Sequence, residues 1–131
     1  MPTIDPYQKY REQSVNTMTP GELIVLLYEE AVISMNKAKS FISKNNTCEA
    51  HNSIIKAENI FLYLMDSLDM NYPISQNLLL LYDYLYNRLV TANLEKNTDI
   101  LQEVLTKTIE LKDTWKKAEV SNREHLQGKS V

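Results

Sequence analysis

Few residues in this sequence could bind a metal ion. There is one cysteine, Cys48, and there are two histidines, His51 and His125. On a helix, Cys48 and His51 would offer two zinc ligands on one face, but no second pair is present to complete a tetrahedral site. A di-metal carboxylate site in a helical bundle needs two Glu-x-x-His motifs, and neither histidine follows a glutamate at that spacing. The sequence therefore predicts no metal site.

Residues that could carry out catalysis or bind a nucleotide are equally scarce. The glycines are Gly21 and Gly128, which is too few to build a phosphate-binding loop. Cys48 has no base or orienting partner near it in the sequence, so a catalytic thiol is not expected. We therefore expect a protein without a cofactor and without enzymatic activity.

The composition predicts one globular domain. The chain has 131 residues, of which 44% are hydrophobic and 24% charged, and its formal net charge is -3. This mild acidic excess argues against a nucleic-acid partner, because a phosphate backbone requires concentrated positive charge. A single cysteine permits no internal disulfide, and no apolar run approaches the roughly 20 residues of a membrane-spanning helix. With no signal peptide at its start, the chain is expected in the cytosol and not in a membrane.

The distribution of glycine and proline predicts an all-α fold. Neither glycine nor proline occurs in 22–72 or in 74–127, and Pro73 separates the two ranges. Apolar residues recur at steps of three and four, which is typical of amphipathic helices. Four helices with short connections predict an antiparallel four-helix bundle with up-down-up-down topology. The expected division is an N-terminal arm over 1–18, a helical bundle over 19–118 and a polar, frayed tail over 119–131.

Capping residues and inner stripes place the four helices. Thr19 and Glu22 form a capping box, and Asn46 and Glu49 offer a second. The expected helix starts are Thr19–Pro20, Asn46, Ser75 and Asn97 or Thr98. The predicted inner stripes are Ile24, Leu27, Ala31, Met35, Ala38 and Ile42; Ala50, Ile54, Ala57, Phe61, Leu64 and Leu68; Leu78, Leu81, Leu85, Leu89 and Ala92; and Leu101, Val104, Thr108, Leu111, Trp115 and Ala118.

The first three helices carry more apolar residues than one core can cover. The runs 23–28, 60–65 and 78–81 place apolar side chains around most of each helix, because successive residues turn by about 100°. Corner positions of a bundle can bury more than one stripe, which is the simplest explanation for any single residue. For three helices together, the excess favours either a protein partner that lies along the bundle or self-association, including weak dimerisation of the free chain.

The eight tyrosines and three isolated charges lead to narrower expectations. Tyr28 and Tyr82 are expected to lie at the ends of the core, with their rings buried and their hydroxyl groups in solvent. Glu58, Asp83 and Arg88 stand among apolar residues and are expected on a solvated edge of the bundle, as charges on bundle helices usually are.

Four segments, taken in order, resemble the flagellar secretion chaperones that bind flagellin, the FliS family. They are PYQKYREQSVNTMTPGEL (6–23), LLYEEA (26–31), LYDYLYNRLVTANLEKN (81–97) and LKDTWKKA (111–118). The resemblance covers about residues 6–120. The family commonly has Asp and Gly where this chain has Glu29 and Glu30, and often has glycine in the turn where this chain has 71–73.

The resemblance implies a chaperone that binds the C-terminal segment of flagellin in the cytosol, prevents its premature polymerisation and delivers it to the export gate of the flagellar type III system. It also implies that Tyr7, Tyr10 and Val15, on the arm, dock the client or shield its groove. Helical phasing adds six outward positions to this expected partner-binding surface. They are Ile55, Leu62, Leu79, Leu80, Tyr84 and Tyr86.

Overall fold

The computed structural model describes residues 18–129, with the side chains of residues 18–121. In this part of the chain there are four α-helices and no strands. Helices adjacent in sequence pack together, and the fourth also packs against the first, which closes the bundle. The predicted up-down-up-down four-helix bundle is confirmed. The helices are α1 (Pro20–Ser43), α2 (Thr47–Asp66), α3 (Pro73–Glu95) and α4 (Thr98–Lys129). None of the four is long and apolar enough to cross a membrane.

The first two helices begin where their capping residues predict. The Thr19 hydroxyl accepts a hydrogen bond from the backbone N–H of Glu22 at 3.1 Å, and Pro20 occupies the first turn of α1. The Asn46 side chain accepts from the backbone N–H of Glu49 at 3.2 Å. Each bond satisfies an N–H group that has no partner within its own helix.

The third helix begins two residues before the predicted start. Pro73 lies in its first turn, where a residue without a backbone N–H is tolerated. Ser75 is not a cap, because its hydroxyl donates to the carbonyl oxygen of Asp69 at 2.6 Å and ties the preceding turn to the helix. The fourth helix is capped as predicted, since the Asn97 side chain accepts from the backbone N–H of Ile100 at 3.1 Å.

The fourth helix is longer than the other three. It spans 32 residues, or about 48 Å, whereas α1 spans 24 residues, or about 36 Å. The expected end at Ala118 is wrong, because the helix continues to Lys129, whereas the expected fraying of the tail stays a prediction. No proline follows Trp115, and the polar residues in between include Glu, Lys, Arg and Gln, which favour helix. The polar residues 119–129 are therefore helical.

The core is formed by the predicted stripes, with additions. Most stripe residues are buried, whereas Ile24, Leu27, Ile42, Leu68 and Leu81 are partly buried and pack against the core from its edge. On α4, Leu111 and Trp115 are also partly buried and Ala118 is exposed. Five further apolar residues complete the core: Tyr28, Ile60, Tyr82, Ile100 and Leu105.

Tyr28 and Tyr82 lie inside the core, and the expectation that their hydroxyl groups reach solvent is wrong. Tyr28 is 0% exposed and Tyr82 is 1% exposed. Their hydroxyl groups form a short hydrogen bond with each other, so each satisfies the polar group that burial would otherwise leave unpaired. The Tyr82 ring also packs at 6.1 Å from that of Phe61, in a tilted geometry.

Glu58 is buried and not on a solvated edge as expected, whereas Asp83 is exposed and Arg88 is partly exposed. Glu58 lies between α2 and α3 in a polar cluster. The Asn93 amide nitrogen is 2.9 Å from Nδ1 of His51, and the Lys96 ammonium donates to the Asn93 side-chain oxygen at 2.8 Å. One Glu58 oxygen is buried without a hydrogen-bond partner among the described residues.

Burial raises the pKa of Glu58 above its usual value, although His51 and a hydrogen bond from Asn93 act in the opposite direction. A carboxyl with a raised folded-state pKa contributes its full stabilisation below the unfolded pKa and loses it as the pH rises through the folded pKa. Glu58→Gln should therefore raise the free energy of unfolding at neutral pH, and the gain should shrink as the pH falls toward the pKa of an unfolded-state glutamate. Urea denaturation at the two pH values measures this difference.

Glu103→Gln is the control of opposite sign. Hydrogen bonds from Tyr84 and Arg88 hold the pKa of Glu103 below its usual value. The stabilisation from Glu103 is therefore present above the unfolded pKa and is lost as the pH falls through the folded pKa, so its substitution should not stabilise the chain at neutral pH. A Glu58→Gln variant that is less stable than the parent at neutral pH would contradict the assignment.

Candidate partner-binding site

An apolar cavity opens at one end of the bundle. It has a volume of about 550 Å³ and is formed where α1 begins, α2 ends, α3 begins and α4 passes by; we call it the end cavity. Exposed and half-buried apolar side chains form most of its wall, and Asp69 supplies a charge. The apolar residues that form its wall are Leu23, Ile24, Tyr63, Leu64, Leu68, Tyr72, Ile74, Leu78, Tyr82 and Trp115.

Aromatic side chains connect the end cavity to the core. Tyr82 and Trp115 both line the cavity, and Tyr28 lies behind them. The hydroxyl group of Tyr28 is hydrogen-bonded to that of Tyr82. Burial raises the pKa of both tyrosines, so both hydroxyl groups stay protonated at neutral pH. The cavity therefore has a wall that is hydrogen-bonded into the core.

Gly21 allows α4 to lie close to the first turn of α1 beside this cavity. A methyl group at position 21 would collide with the carboxylate of Glu119. Because that carboxylate is the end of a flexible side chain, it can move aside, and a small side chain at position 21 would cost little. The contact shows that α4 passes directly beside the start of α1 at this end of the bundle.

The six outward positions predicted on α2 and α3 do not form one surface. Leu79 and Tyr86, both partly buried, lie on the same side of α3 as Asn93, which contacts α2. Leu62 is 43% exposed and lies three turns from His51 on the corresponding side of α2. These three residues therefore flank the groove between α2 and α3.

Leu80 and Tyr84 lie on the other side of α3, toward α4. They are one helical turn apart, and Leu80 is 71% exposed. The Tyr84 hydroxyl donates to one oxygen of Glu103 at 2.7 Å, and Arg88 donates to the other at 2.8 Å. Tyr84 therefore offers only its ring to a partner, because its hydroxyl group is bound to α4.

Ile55 lies seven residues before Leu62 on the same side of α2, and it also borders the groove between α1 and α2. It lines a recess of about 420 Å³ together with Leu27, Ile60 and Tyr63, and the same Tyr63 also lines the end cavity. The ion pair of Glu30 and Lys56, at 3.4 Å, crosses between the two helices beside this recess. The recess and the end cavity are therefore adjacent along α2.

The arm residues Tyr7, Tyr10 and Val15 lie outside the described residues. The arm joins the bundle at Met18, just before Thr19 and the first turn of α1. Because Pro20 and Gly21 line the end cavity, the arm leaves the bundle next to it. The predicted docking role of the three arm residues stays a prediction.

None of the six predicted partner-binding residues that the structure describes, all on α2 and α3, lines the end cavity. Helical phasing shows which residues point outward from a single helix. It does not reveal a cavity that is formed where several helices meet. The sequence did contain a usable signal, because Pro20 and Pro73 mark the starts of α1 and α3. In an up-down-up-down bundle those two starts lie at the same end as the end of α2.

Charge is distributed unevenly among the helices. The 23 residues of α3 include three charged side chains, Asp83, Arg88 and Glu95. The first 24 residues of α4, 98–121, include nine. The exposed face of α3 is therefore mainly apolar or uncharged, which is typical of a surface that contacts another protein.

Comparisons with known proteins agree with this arrangement. Residues 3–122 match the family model described as flagellar protein FliS. The flagellar secretion chaperone FliS of Bacillus subtilis is 36% identical over 124 residues, which cover 95% of this chain and 93% of the relative. The protein of the same name from Escherichia coli is 30% identical over 113 residues, which cover 84% and 83%. This chain therefore belongs to the FliS family of flagellar secretion chaperones.

Proposed function

We propose that this chain binds the C-terminal segment of flagellin in the cytosol, prevents its premature polymerisation and delivers it to an export-gate component of the flagellar secretion system. The proposal rests on the apolar surface that remains exposed on the folded bundle. The end cavity and the exposed residues of α2 and α3 are available to a protein partner without any rearrangement of the core.

The position of this surface suits an extended client. The end cavity and the recess at Ile55 are adjacent and share Tyr63, whereas the exposed pair Leu80 and Tyr84 lies on the side of α3 toward α4. A compact partner could not reach all three, whereas a disordered segment can wrap around a helical bundle. Such a segment loses conformational entropy on binding, so the interface must be large to compensate.

The apolar sites suggest how the client would be held. The end cavity has room for several large aliphatic side chains, as one face of a short amphipathic helix would supply. Each large apolar side chain buried there contributes roughly 1.5–3 kcal/mol relative to its exposed state. This binding needs no catalytic group and no nucleotide.

Titration calorimetry with a peptide of the flagellin C-terminal segment tests the proposal. We expect a one-to-one complex with a dissociation constant of about 1 µM or below, corresponding to at least about 8 kcal/mol. The heat-capacity change on binding should be negative, because apolar surface is buried. No detectable binding of the peptide, with sedimentation showing a dimer instead, would favour self-association as the use of the apolar surface.

The same titration with a chain lacking residues 1–17 tests the arm. If Tyr7, Tyr10 and Val15 dock the client, affinity falls; if they shield the end cavity, affinity rises. In both cases the melting temperature should stay close to that of the full chain, because the arm precedes the Thr19 cap. Unchanged affinity, or collapse of the fold, would show that the arm has neither role.

A further inference from the structure

The end cavity contains one negative charge in a wall that is otherwise apolar or neutral. Of the described residues that line it, Asp69 alone carries a formal charge at neutral pH. Its surroundings in the sequence supply no positive charge, because neither lysine nor arginine occurs in 57–87. That range includes the end of α2, the turn that follows it and most of α3, so no cation from these elements neutralises Asp69.

Two hydrogen bonds hold Asp69 in place at the cavity. The backbone N–H of Asn71 donates to one oxygen of the Asp69 carboxylate at 3.0 Å. The hydroxyl of Ser75, a buried residue in the first turn of α3, donates to the backbone carbonyl oxygen of Asp69 at 2.6 Å. Because both its side chain and its backbone are fixed before a partner arrives, little conformational entropy is lost when Asp69 forms a further contact.

The Asp69 carboxylate has capacity for a further donor. An ionised carboxylate can accept about four hydrogen bonds, and Asn71 supplies one. Asp69 is exposed, and within residues 18–121 no lysine, arginine or histidine forms an ion pair with it. Its second oxygen is therefore available to a cation that a partner brings.

We propose that Asp69 determines specificity at the end cavity: it pairs with a lysine or arginine side chain of the client segment whose large aliphatic side chains fill the cavity. The inference rests on the proposed function, because it assumes that the client enters this cavity. A purely apolar segment would cover the carboxylate without giving it a partner, which costs free energy. An acidic segment would be repelled, so the site selects a cation beside aliphatic residues.

Asp69→Asn and Asp99→Asn form a matched pair of substitutions. Asparagine at position 69 keeps a side-chain oxygen that can accept from the Asn71 N–H, so the turn and the melting temperature should be preserved while the charge is lost. Asp99→Asn removes the same charge from an exposed residue in the first turn of α4, at the opposite end of the bundle. Both variants have the same net charge, and only the first lacks the charge at the cavity.

The first measurement is the affinity for the flagellin C-terminal peptide at low and at high salt. Asp69→Asn should weaken binding by about threefold to fivefold at low salt, the effect of one ion pair, and by less at high salt, where the pair is screened. The affinity of this variant should therefore depend less on salt than that of the parent chain, whereas Asp99→Asn should behave like the parent. Equal effects of the two substitutions, or none from Asp69→Asn, would overturn the proposal.

A double-mutant cycle identifies the cation on the client. Each lysine and arginine of the peptide is replaced in turn by glutamine, and one of these replacements should cause no further loss of affinity for the Asp69→Asn chain. Full additional losses at every position would refute the pairing.

The N-terminal arm is the other source of a cation, since its sequence includes Lys9 and Arg11. The same titrations with chains lacking residues 1–17 separate the two sources. An effect of Asp69→Asn that persists without the arm assigns the cation to the client, whereas an effect that vanishes assigns it to the arm and overturns the proposal. If the parent chain does not bind the peptide, the proposed function fails together with this inference; if it binds without coupling to Asp69, only this inference fails.

Discussion

Replacing Ile74 by aspartate should weaken binding of the flagellin C-terminal peptide by about a hundredfold. Ile74 lines the end cavity and is 61% exposed, so it contributes more to the cavity wall than to the core. The substitution removes the burial of one large aliphatic side chain, worth roughly 1.5–3 kcal/mol, and forces the client to desolvate a carboxylate. A loss of about 2.7 kcal/mol corresponds to a hundredfold change in the dissociation constant. Calorimetry measures this loss directly.

The fold should tolerate the new charge at position 74. This residue follows Pro73 in the first turn of α3, where a carboxylate interacts favourably with the positive end of the helix dipole. The melting temperature of the variant should therefore match or slightly exceed that of the parent chain. A loss of affinity without a loss of stability assigns the effect to the end cavity.

Leu94→Asp is the matched control for Ile74→Asp. Leu94 lies on the same helix, is also an aliphatic residue, and is 83% exposed, but it is at the opposite end of α3. It lies in the last turn, where a carboxylate is disfavoured by a few tenths of a kcal/mol. If the end cavity holds the client, Leu94→Asp should leave the affinity unchanged. Equal losses in both variants would show that the effect comes from net charge and not from the cavity.

The fold was predictable because each helix carries a local signal that the tertiary structure does not override. The Thr19 and Asn46 caps, the repeats of apolar residues and the near absence of glycine all favour the same four helices. The family motifs were equally local, since they are short strings at fixed spacing. The end of α4 was not predictable from polarity alone, because polar residues of high helix propensity sustain the helix beyond Ala118.

The site was less predictable because its parts come from different helices. Periodicity assigns each residue a direction around its own helix, but it does not say which neighbour lies there. Glu58 shows the consequence, since it was expected in solvent and is instead buried beside Asn93 of another helix. Tyr28 and Tyr82 show it again, because each satisfies the other's hydroxyl group across 54 positions of the sequence.

The outward positions and the end cavity make separable contributions to the proposed function. Leu80 and Tyr84 are exposed on a helix of low charge, and their substitution should affect a part of the client that is remote from the cavity. Substitutions at different sites around the bundle should reduce the binding free energy additively, because the substituted residues share no contacts. A client that wraps around the bundle is therefore expected to tolerate the loss of one outward residue better than the loss of the cavity.

Trp115→Ala should reduce both the stability of the bundle and its affinity for the client. Complete burial of a tryptophan would make the cost of its removal about 3–5 kcal/mol, and because Trp115 is only partly buried we expect about 2–4 kcal/mol. The ring packs against the core and also lines the end cavity, so its removal takes away core contacts and enlarges the cavity. Urea denaturation measures the first effect, and we expect a loss of affinity of at least about tenfold by calorimetry.

Trp115→Phe separates the two roles of this residue. Phenylalanine keeps much of the apolar contact with the core, so most of the stability should return, while affinity should recover only in part because the smaller ring covers less of the cavity wall. A loss of affinity with no change in stability in Trp115→Ala would mean that the ring contacts only the client. Lost stability with unchanged affinity would mean that the client does not use the end cavity, and the binding surface would then be the outward residues of α2 and α3.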